Sequence, residues 1–463
     1  MTSERDPEAS VSTLRAQGVR AVRLLYTDLH GVARGKDIPL THFADLVDDG
    51  ATFCSAVMGT DLRHTPVVGG EAGYVDFAIR PDLDTLRMAP TWRAGDPSEV
   101  KVAWCLGEAW TLEGEHWPVC PRALLRRVVD RFAERRLVPV VAPELEYFVC
   151  ERDPAAHGGL RRYVDEFSRV YTVGPVSDPR ELTARMLLWC DELGLRAFAA
   201  NHEFMNSQYE INLKHSDALD ACDRAFMLKA AVKELAAREG LLATFMGRPF
   251  ADQGGSGFHV HLSLTAADGH NAFADEGGPD GLSPLAGQFV AGVIEHAQGL
   301  QALLGPTVNA YKRLLPDSLA PTHANWGHDN RTAFCRIPRE RGARARVEIR
   351  SGDGSACAHL ITAAILSAGL DGIERELVPP DPVVGNAYRA DKAHAGSTLP
   401  ADLPAALDAL EADTRLVGAL GPELIATFVA MKRFEVERFM EAVGELDVEV
   451  VTEWELAEYA AHL

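Results

Sequence analysis

Glu144 and Glu146 are one residue apart in the extended-looking segment 141–148, and on a strand residues i and i+2 share a face. The same spacing recurs at 257–263, placing His259, His261 and Ser263 on one side, and at 346–350, placing Arg346, Glu348 and Arg350 together. A fourth segment, 201–212, carries Glu203 and Glu210 on either side of Asn206-Ser207. That pair predicts a hairpin turn that brings both carboxylates together across two strands. The positions between are apolar. One such segment would also describe a half-solvated strand. Solvated faces, however, mix Lys, Thr and Ser, whereas these four are dominated by carboxylate, imidazole and guanidinium. Crowded carboxylates repel unless cations neutralise them. Five Glu and one His suit Mg²⁺ or Mn²⁺, which prefer oxygen and tolerate imidazole. No Cys or multi-His set is spaced for zinc.

Guanidinium groups supply the other half of the chemistry. Arg313, Arg331, Arg336, Arg346 and Arg350 fall in one stretch, and Arg forks match phosphate and carboxylate oxygens in pairs. Cations and arginines around one cleft are the recurring equipment of phosphoryl transfer. Arg339, Arg341 and Arg344 read as surface charges. Residues 31–36, Gly-Val-Ala-Arg-Gly-Lys, are only loosely P-loop-like, because the glycine spacing is short and Asp37 replaces Ser/Thr. No GxGxxG opens a helix, and no GxSxG elbow or spaced Cys-His-Asn set supports covalent catalysis. His202 and His261 are open to a phosphate or base contact or to a structural role.

The elements that must position these residues divide near residue 115. Before it, residues 21–40 read strand, turn, strand, and a second strand region spans 74–90, giving a small mixed sheet over 15–114. Beyond it, over 115–463, strands and helices alternate. Pro121 opens a helix, and further helices are expected around 180–193, 217–238, 285–304, 403–420 and 422–443, with Gly240 stopping the second of these. Residues 375–402 read as an excursion loop and the first dozen residues as a disordered lead-in. The chain has 463 residues and a formal net charge of −21. No basic footprint for nucleic acid is visible, and anionic membranes are disfavoured. No signal peptide or 20-residue apolar span is present. The eight scattered cysteines, without a CxxC pair, fit buried reduced thiols and a cytoplasmic location.

The same segments resemble the glutamine synthetase family, type I-like. The matching stretches lie at 143–146, 208–210, 255–261, 309–314, 330–332 and 346–350, and the resemblance spans about residues 20 to 460. It implies an α+β architecture: an N-terminal β-grasp domain and a C-terminal catalytic domain built on an antiparallel sheet or barrel flanked by helices. It also implies a dodecamer of two stacked rings with inter-subunit active sites. By the resemblance, Glu146, Glu203 and Glu210 hold one metal, and Glu144, His259 and Glu348 hold the nucleotide-linked metal. Arg313 and Arg350 bind the glutamate carboxylate with help from Gly255. Arg331 stabilises the transferring phosphoryl group, while Arg336 and Arg346, with His261 and Ser263 beside them, contact ATP. The implied reaction uses ATP and two or more Mg²⁺ or Mn²⁺ ions to make γ-glutamyl phosphate, from which a nitrogen nucleophile displaces phosphate.

Two acidic positions of ammonia-using relatives fall on Cys54 and Leu319 here. Both changes remove charge that would attract ammonium and make the pocket more apolar, which suits a larger amine. The expectation is a glutamate–amine ligase of nitrogen metabolism and amine utilisation, with a small monoamine such as ethanolamine favoured as substrate and a γ-glutamylethanolamide as product. Polyamines stay open through Asp61 or Asp317. Ordinary glutamine synthesis and a non-catalytic role are the rivals. The latter is disfavoured by the complete ligand set.

Overall fold

A computed structural model of the chain describes residues 5–93, 96, 99–165, 170–391 and 394–463. Five strands, β1 Ala21–Thr27, β2 Ala33–Pro39, β3 Ala51–Cys54, β4 Asp76–Met88 and β5 Val102–Trp110, form the N-terminal sheet in the order β2-β1-β5-β4-β3. β1 and β5 are parallel and the other neighbours antiparallel. The central strand β5 is apolar on both faces because it separates two cores. Ala103, Cys105 and Ala109 point into one with Phe43, Phe77 and Ile79, while Trp104 and Leu106 point into the larger core shared with the rest of the chain.

The second half supplies β6 Leu137–Arg152, β7 Leu160–Arg162, β8 Ala197–His202, β9 Gln208–Leu213, β10 Ser216–Asp217, β11 Leu242–Thr244, β12 Phe258–Ala266, β13 His323–Ala324, β14 Trp326–His328, β15 Cys335–Ile337, β16 Val347–Ile349 and β17 Ser397–Thr398. Its main sheet runs β14-β15-β16-β12-β6-β9-β8, antiparallel except between β14 and β15. The backs of β6 and β12 bury Leu145, Tyr147, Phe258, Val260 and Leu262, leaving their charged faces toward the cleft.

Helices appear where expected at Pro121–Glu134, Leu182–Glu192, Ala218–Arg238 and Pro422–Val443, and Gly240, at φ +72°, follows the third. Three expectations are corrected. The lead-in is helical from Pro7 to Ala16: Asp6 caps it by accepting from Glu8 N, Pro7 starts it, and Val11 and Leu14 are buried. The helix Ala358–Glu374 carried no usable sequence signal, because it is apolar all round and buried on nearly every face, so it shows no amphipathic period. The runs 285–304 and 403–420 are each two helices, broken at His296 and Asp413.

Those two breaks clasp each other. His296 Nδ1 lies 2.6 Å from Asp413 Oδ2, and its Nε2 lies 3.1 Å from Asp371 Oδ2. Burial disfavours the imidazolium, but the two carboxylates outweigh it and raise the His296 pKa. The folded state therefore holds this proton more tightly than the unfolded chain. The clasp stabilises fully below the ordinary imidazole range and weakens as pH rises through the raised value. His296→Gln should cost about 1.5–3 kcal/mol at pH 6, the usual worth of hydrogen bonds to charged groups, and distinctly less at pH 9. Urea unfolding midpoints at the two pH values check this; equal costs would mean the clasp is not ionic.

Candidate active site

Strand register turns the i, i+2 spacing into a continuous row. His259 lies opposite Glu144, and His261 lies opposite Glu348, which in turn lies opposite Arg336. On the other side, Glu146 lies opposite Glu210, and Glu210 opposite Asn201. The row thus crosses β15, β16, β12, β6, β9 and β8 on one face. The predicted hairpin is present: Ser207 takes φ +64°, and Glu203 N donates to Gln208 O at 2.8 Å. Glu203 sits at the mouth of this turn, just past β8.

The carboxylates differ sharply in charge state. Burial opposes ionisation of Glu348, yet His261, Arg350, His259 and Arg336 together hold it down at about 2. Arg336 Nη1 donates to Glu348 Oε2 at 2.6 Å, and Arg350 Nη1 donates to its other oxygen. Burial also opposes ionisation of Glu144, but His259 and His261 hold it well below the usual range. Glu203 is pushed up to about 7 by burial and then by the Glu146 charge. Glu210 is raised well above its ordinary value by burial and the charges of Glu144, Glu146 and Glu203. Without a cation, one end of the row is over-supplied with negative charge.

Ligand atoms of Glu144, Glu210 and His259 lie within 4.8 Å of one another, as do those of Glu144, His261 and Glu348. The two sets are not equivalent. Arg346 Nε donates to His261 Nδ1 at 3.3 Å, which places the neutral ring's proton on Nε2. His261 Nε2 lies 3.1 Å from Glu144 Oε1 but off the hydrogen-bonding direction, so the ion-pair contact that helps hold Glu144 down leaves this buried N–H without a well-aligned acceptor. An orphan N–H suits an anionic oxygen, not a cation. Glu144, Glu210 and His259, with Glu146 and Glu203 beside them, offer carboxylate oxygens and one imidazole nitrogen and fit a hard divalent cation. Gly257 keeps this space open, since a Cβ there would sit 2.8 Å from His259 Nε2.

Arg313, Arg331 and Arg350 converge from three segments. Arg313 is buried, donates from Nη1 to Ser351 O at 3.1 Å, and packs on Gly255 so closely that a Cβ there would lie 2.4 Å from its Cγ. Arg350 Nε donates to Arg331 O at 2.8 Å, tying the buried guanidinium to the backbone of the exposed Arg331. Arg339 and Arg344 are exposed as expected, whereas Arg341 is partly buried, its guanidinium bonding to the carbonyls of Asp280, Pro338 and Glu340. Ser263 continues the β12 face two residues beyond His261. Cys54 lies on the other sheet, exposed at the end of β3, with Sγ 3.6 Å from Tyr74 O. Leu319 is half-exposed at φ +63° in the loop after Arg313, which Ser318 ties back by donating to Arg313 O at 2.8 Å.

Four further residues hold this arrangement. Gln208 Nε2 donates to Glu146 Oε2 at 2.9 Å and to Gly255 O at 3.1 Å, bridging the carboxylate row to the Arg313 side. Asn201 and Asn212 donate to Glu203 and Glu210 at 2.6 and 2.8 Å. Buried Asp353 is the nearest opposing charge to Arg313. The i, i+2 rule that found the glutamates also reaches both asparagines, each two residues from its partner.

Comparison with known proteins agrees with this geometry. The family model described as glutamine synthetase, catalytic domain, matches residues 118–451. The chain is 32% identical to a glutamine synthetase of Methanocaldococcus jannaschii over 98% of each chain. It is 33% identical to one of Thermus thermophilus, over 97% of this chain and 98% of the relative. A solved structure of GmaS in complex with ADP superposes with a TM-score of 0.83 at 34% identity, covering 98% of both chains. With the carboxylate row, the converging arginines and a match over nearly the whole length, the chain belongs to the glutamine synthetase family of ATP-dependent ligases.

Proposed function

We propose that this enzyme joins glutamate to a small primary monoamine, ethanolamine being the favoured example, to give a γ-glutamylamide. The feature that carries the reading is the absence of acid at Cys54 and Leu319 themselves. By the family resemblance, Cys54 and Leu319 stand where ammonia-using relatives carry carboxylates. Of the two acids that left a polyamine's far end open, Asp61 is buried and bound by Arg438 Nη1 at 2.7 Å, whereas Asp317 is exposed two residues before Leu319 and keeps that alternative open. Likeness to GmaS supports an amine as acceptor.

In this reading one γ-carboxylate oxygen of glutamate attacks the terminal phosphorus of ATP, the bond to the β-phosphate oxygen breaks, and ADP leaves. The amine nitrogen then attacks the γ-carbonyl carbon, the carbon–oxygen bond to phosphate breaks, and the nitrogen gives up a proton. Arg313 and Arg350, with Gly255, would seat glutamate, Arg331 would meet the charge of the moving phosphoryl group, and Arg336, Arg346 and His261 Nε2 would hold phosphate oxygens. Mg²⁺ or Mn²⁺, held by Glu144, Glu146, Glu203, Glu210, His259 and Glu348, would neutralise the carboxylates and withdraw charge from the terminal phosphate. A cytoplasmic dodecamer of two stacked rings, completing each site between subunits, belongs to the same reading.

One observation favours the rival, ammonia: Asp76 lies directly opposite Cys54 in the β3–β4 register and is exposed, so it can stand in for the missing acid. Phosphate release from ATP and glutamate, compared across ammonium, ethanolamine, methylamine, putrescine and spermidine with product masses, separates the two. Ethanolamine or methylamine should exceed ammonium in kcat/KM by at least about tenfold, the range that one or two apolar groups supply. Faster turnover with ammonium would return the enzyme to glutamine synthesis.

A further inference from the structure

We propose that a cavity between the N-terminal sheet and the helix Ala218–Arg238, outside the carboxylate row, binds a small organic carboxylate with a compact apolar body. The cavity holds about 260 Å³, below the range of drug-sized sites and suited to a small molecule. Its walls are largely apolar, with Trp104 on the sheet side and Phe226 and Ala230 on the helix side. Set among them are Lys229 and Lys233, one helical turn apart on the same helix face.

What singles out this cavity is a pair of ammonium groups without a carboxylate partner, although Lys229 also lies 5.3 Å from the centroid of the Phe245 ring and within the field of Asp353. Lys229 is only 6% exposed, and its Nζ donates to two carbonyls, Gly354 O at 2.9 Å and Ala356 O at 3.3 Å. Lys233 Nζ donates to His462 O at 2.6 Å. Each ammonium has three donors, so one remains on Lys229 and two on Lys233. Among the described residues no carboxylate lies within 4 Å of either nitrogen. Glu234, the acid in the cavity wall, is already bound by Arg23 at 2.7 Å and Arg238 at 2.8 Å. Asp28, the acid whose charge reaches both lysines, is held by Arg34 Nε at 2.8 Å and by the N–H groups of His30 and Val32. Buried ammonium groups without a counter-ion are costly. Burial accordingly pushes Lys229 down to about 8, and burial together with the Lys229 charge pushes Lys233 to about 7.

A carboxylate between the two lysines supplies the missing charge and accepts the spare donors, while its apolar body fills the space against Trp104 and Phe226. A neutral analogue satisfies only the second requirement. Through Lys229 this wall is also bonded to the carbonyls just after Asp353, the residue facing Arg313.

Titration calorimetry on the full-length protein, with saturating glutamate and Mg-ADP filling the substrate sites, tests the assignment. Benzoate and 3-methylbutanoate are the probes and benzamide the neutral control. The expected result is saturable binding of either acid, at least tenfold weaker binding of benzamide, and at least tenfold weaker acid binding to Lys233→Met. Ala230→Phe, which fills the cavity and leaves both lysines in place, should abolish binding. This arm decides the question if the Lys233 variant does not fold. No saturable acid binding, equal binding of benzamide, or unchanged binding to Ala230→Phe overturns the proposal. None of these outcomes depends on which amine the enzyme uses.

Discussion

Alanine at Arg331 should lower phosphate release by about 10³–10⁵-fold, the usual worth of an arginine that stabilises a transferring phosphoryl group. The melting temperature should barely move. The Arg331 side chain is exposed, and exposed substitutions away from special features usually change stability by less than about 0.5 kcal/mol. Its one structural contribution here, accepting the Arg350 Nε–H at 2.8 Å, comes from the backbone carbonyl and survives the substitution. Steady-state phosphate release and thermal unfolding on the same preparation check the split. A stable Arg331→Ala enzyme with near-normal kcat would remove Arg331 from the phosphoryl site.

Glu348 predicts the opposite pattern, with activity and stability falling together. The side chain is 0% exposed, and both oxygens are committed, one to Arg336 and the other to Arg350. Alanine there leaves two guanidinium groups facing each other without a counter-charge, at a cost of about 3–5 kcal/mol. Activity should fall by at least about 10²–10³-fold, as when one preorganised electrostatic group is removed from an active site. Glu348→Gln keeps the shape and some hydrogen bonding, so it should recover part of the stability but little of the rate. Full recovery of the rate with Gln would mean that the negative charge is not needed.

The face-sharing of Glu144 with Glu146, and of His259 with His261, was legible because a strand repeats every two residues whatever surrounds it. Which residue faces which across strands was not, since register is a long-range property set by packing. The pairing of His261, not His259, with Glu348 is therefore known only from the fold. The proton position on His261 depended on Arg346, whose guanidinium reaches a ring on a different strand. Helices with one wetter face, such as Pro121–Glu134, were visible from their spacing. The fully buried Ala358–Glu374 was hidden by its own uniformity. The helical lead-in was signalled by Asp6 and Pro7, a capping residue followed by a first-turn proline, and a polar composition obscured it.

The ladder of partners across β15, β16, β12, β6 and β9 also bears on how such an enzyme can change over evolutionary time. Every cation- or phosphate-facing group depends on parity along its strand. One residue inserted between Phe258 and His261 would swing the imidazoles into the apolar layer and deliver Val260 to the cleft. The reactive face is therefore closed to insertions and deletions, whatever single substitutions it tolerates. Cys54 at a strand end and Leu319 in a loop are under no such constraint. On the reading proposed above, selectivity for the nitrogen donor can drift there by point change while the phosphoryl chemistry stays locked to the pleat.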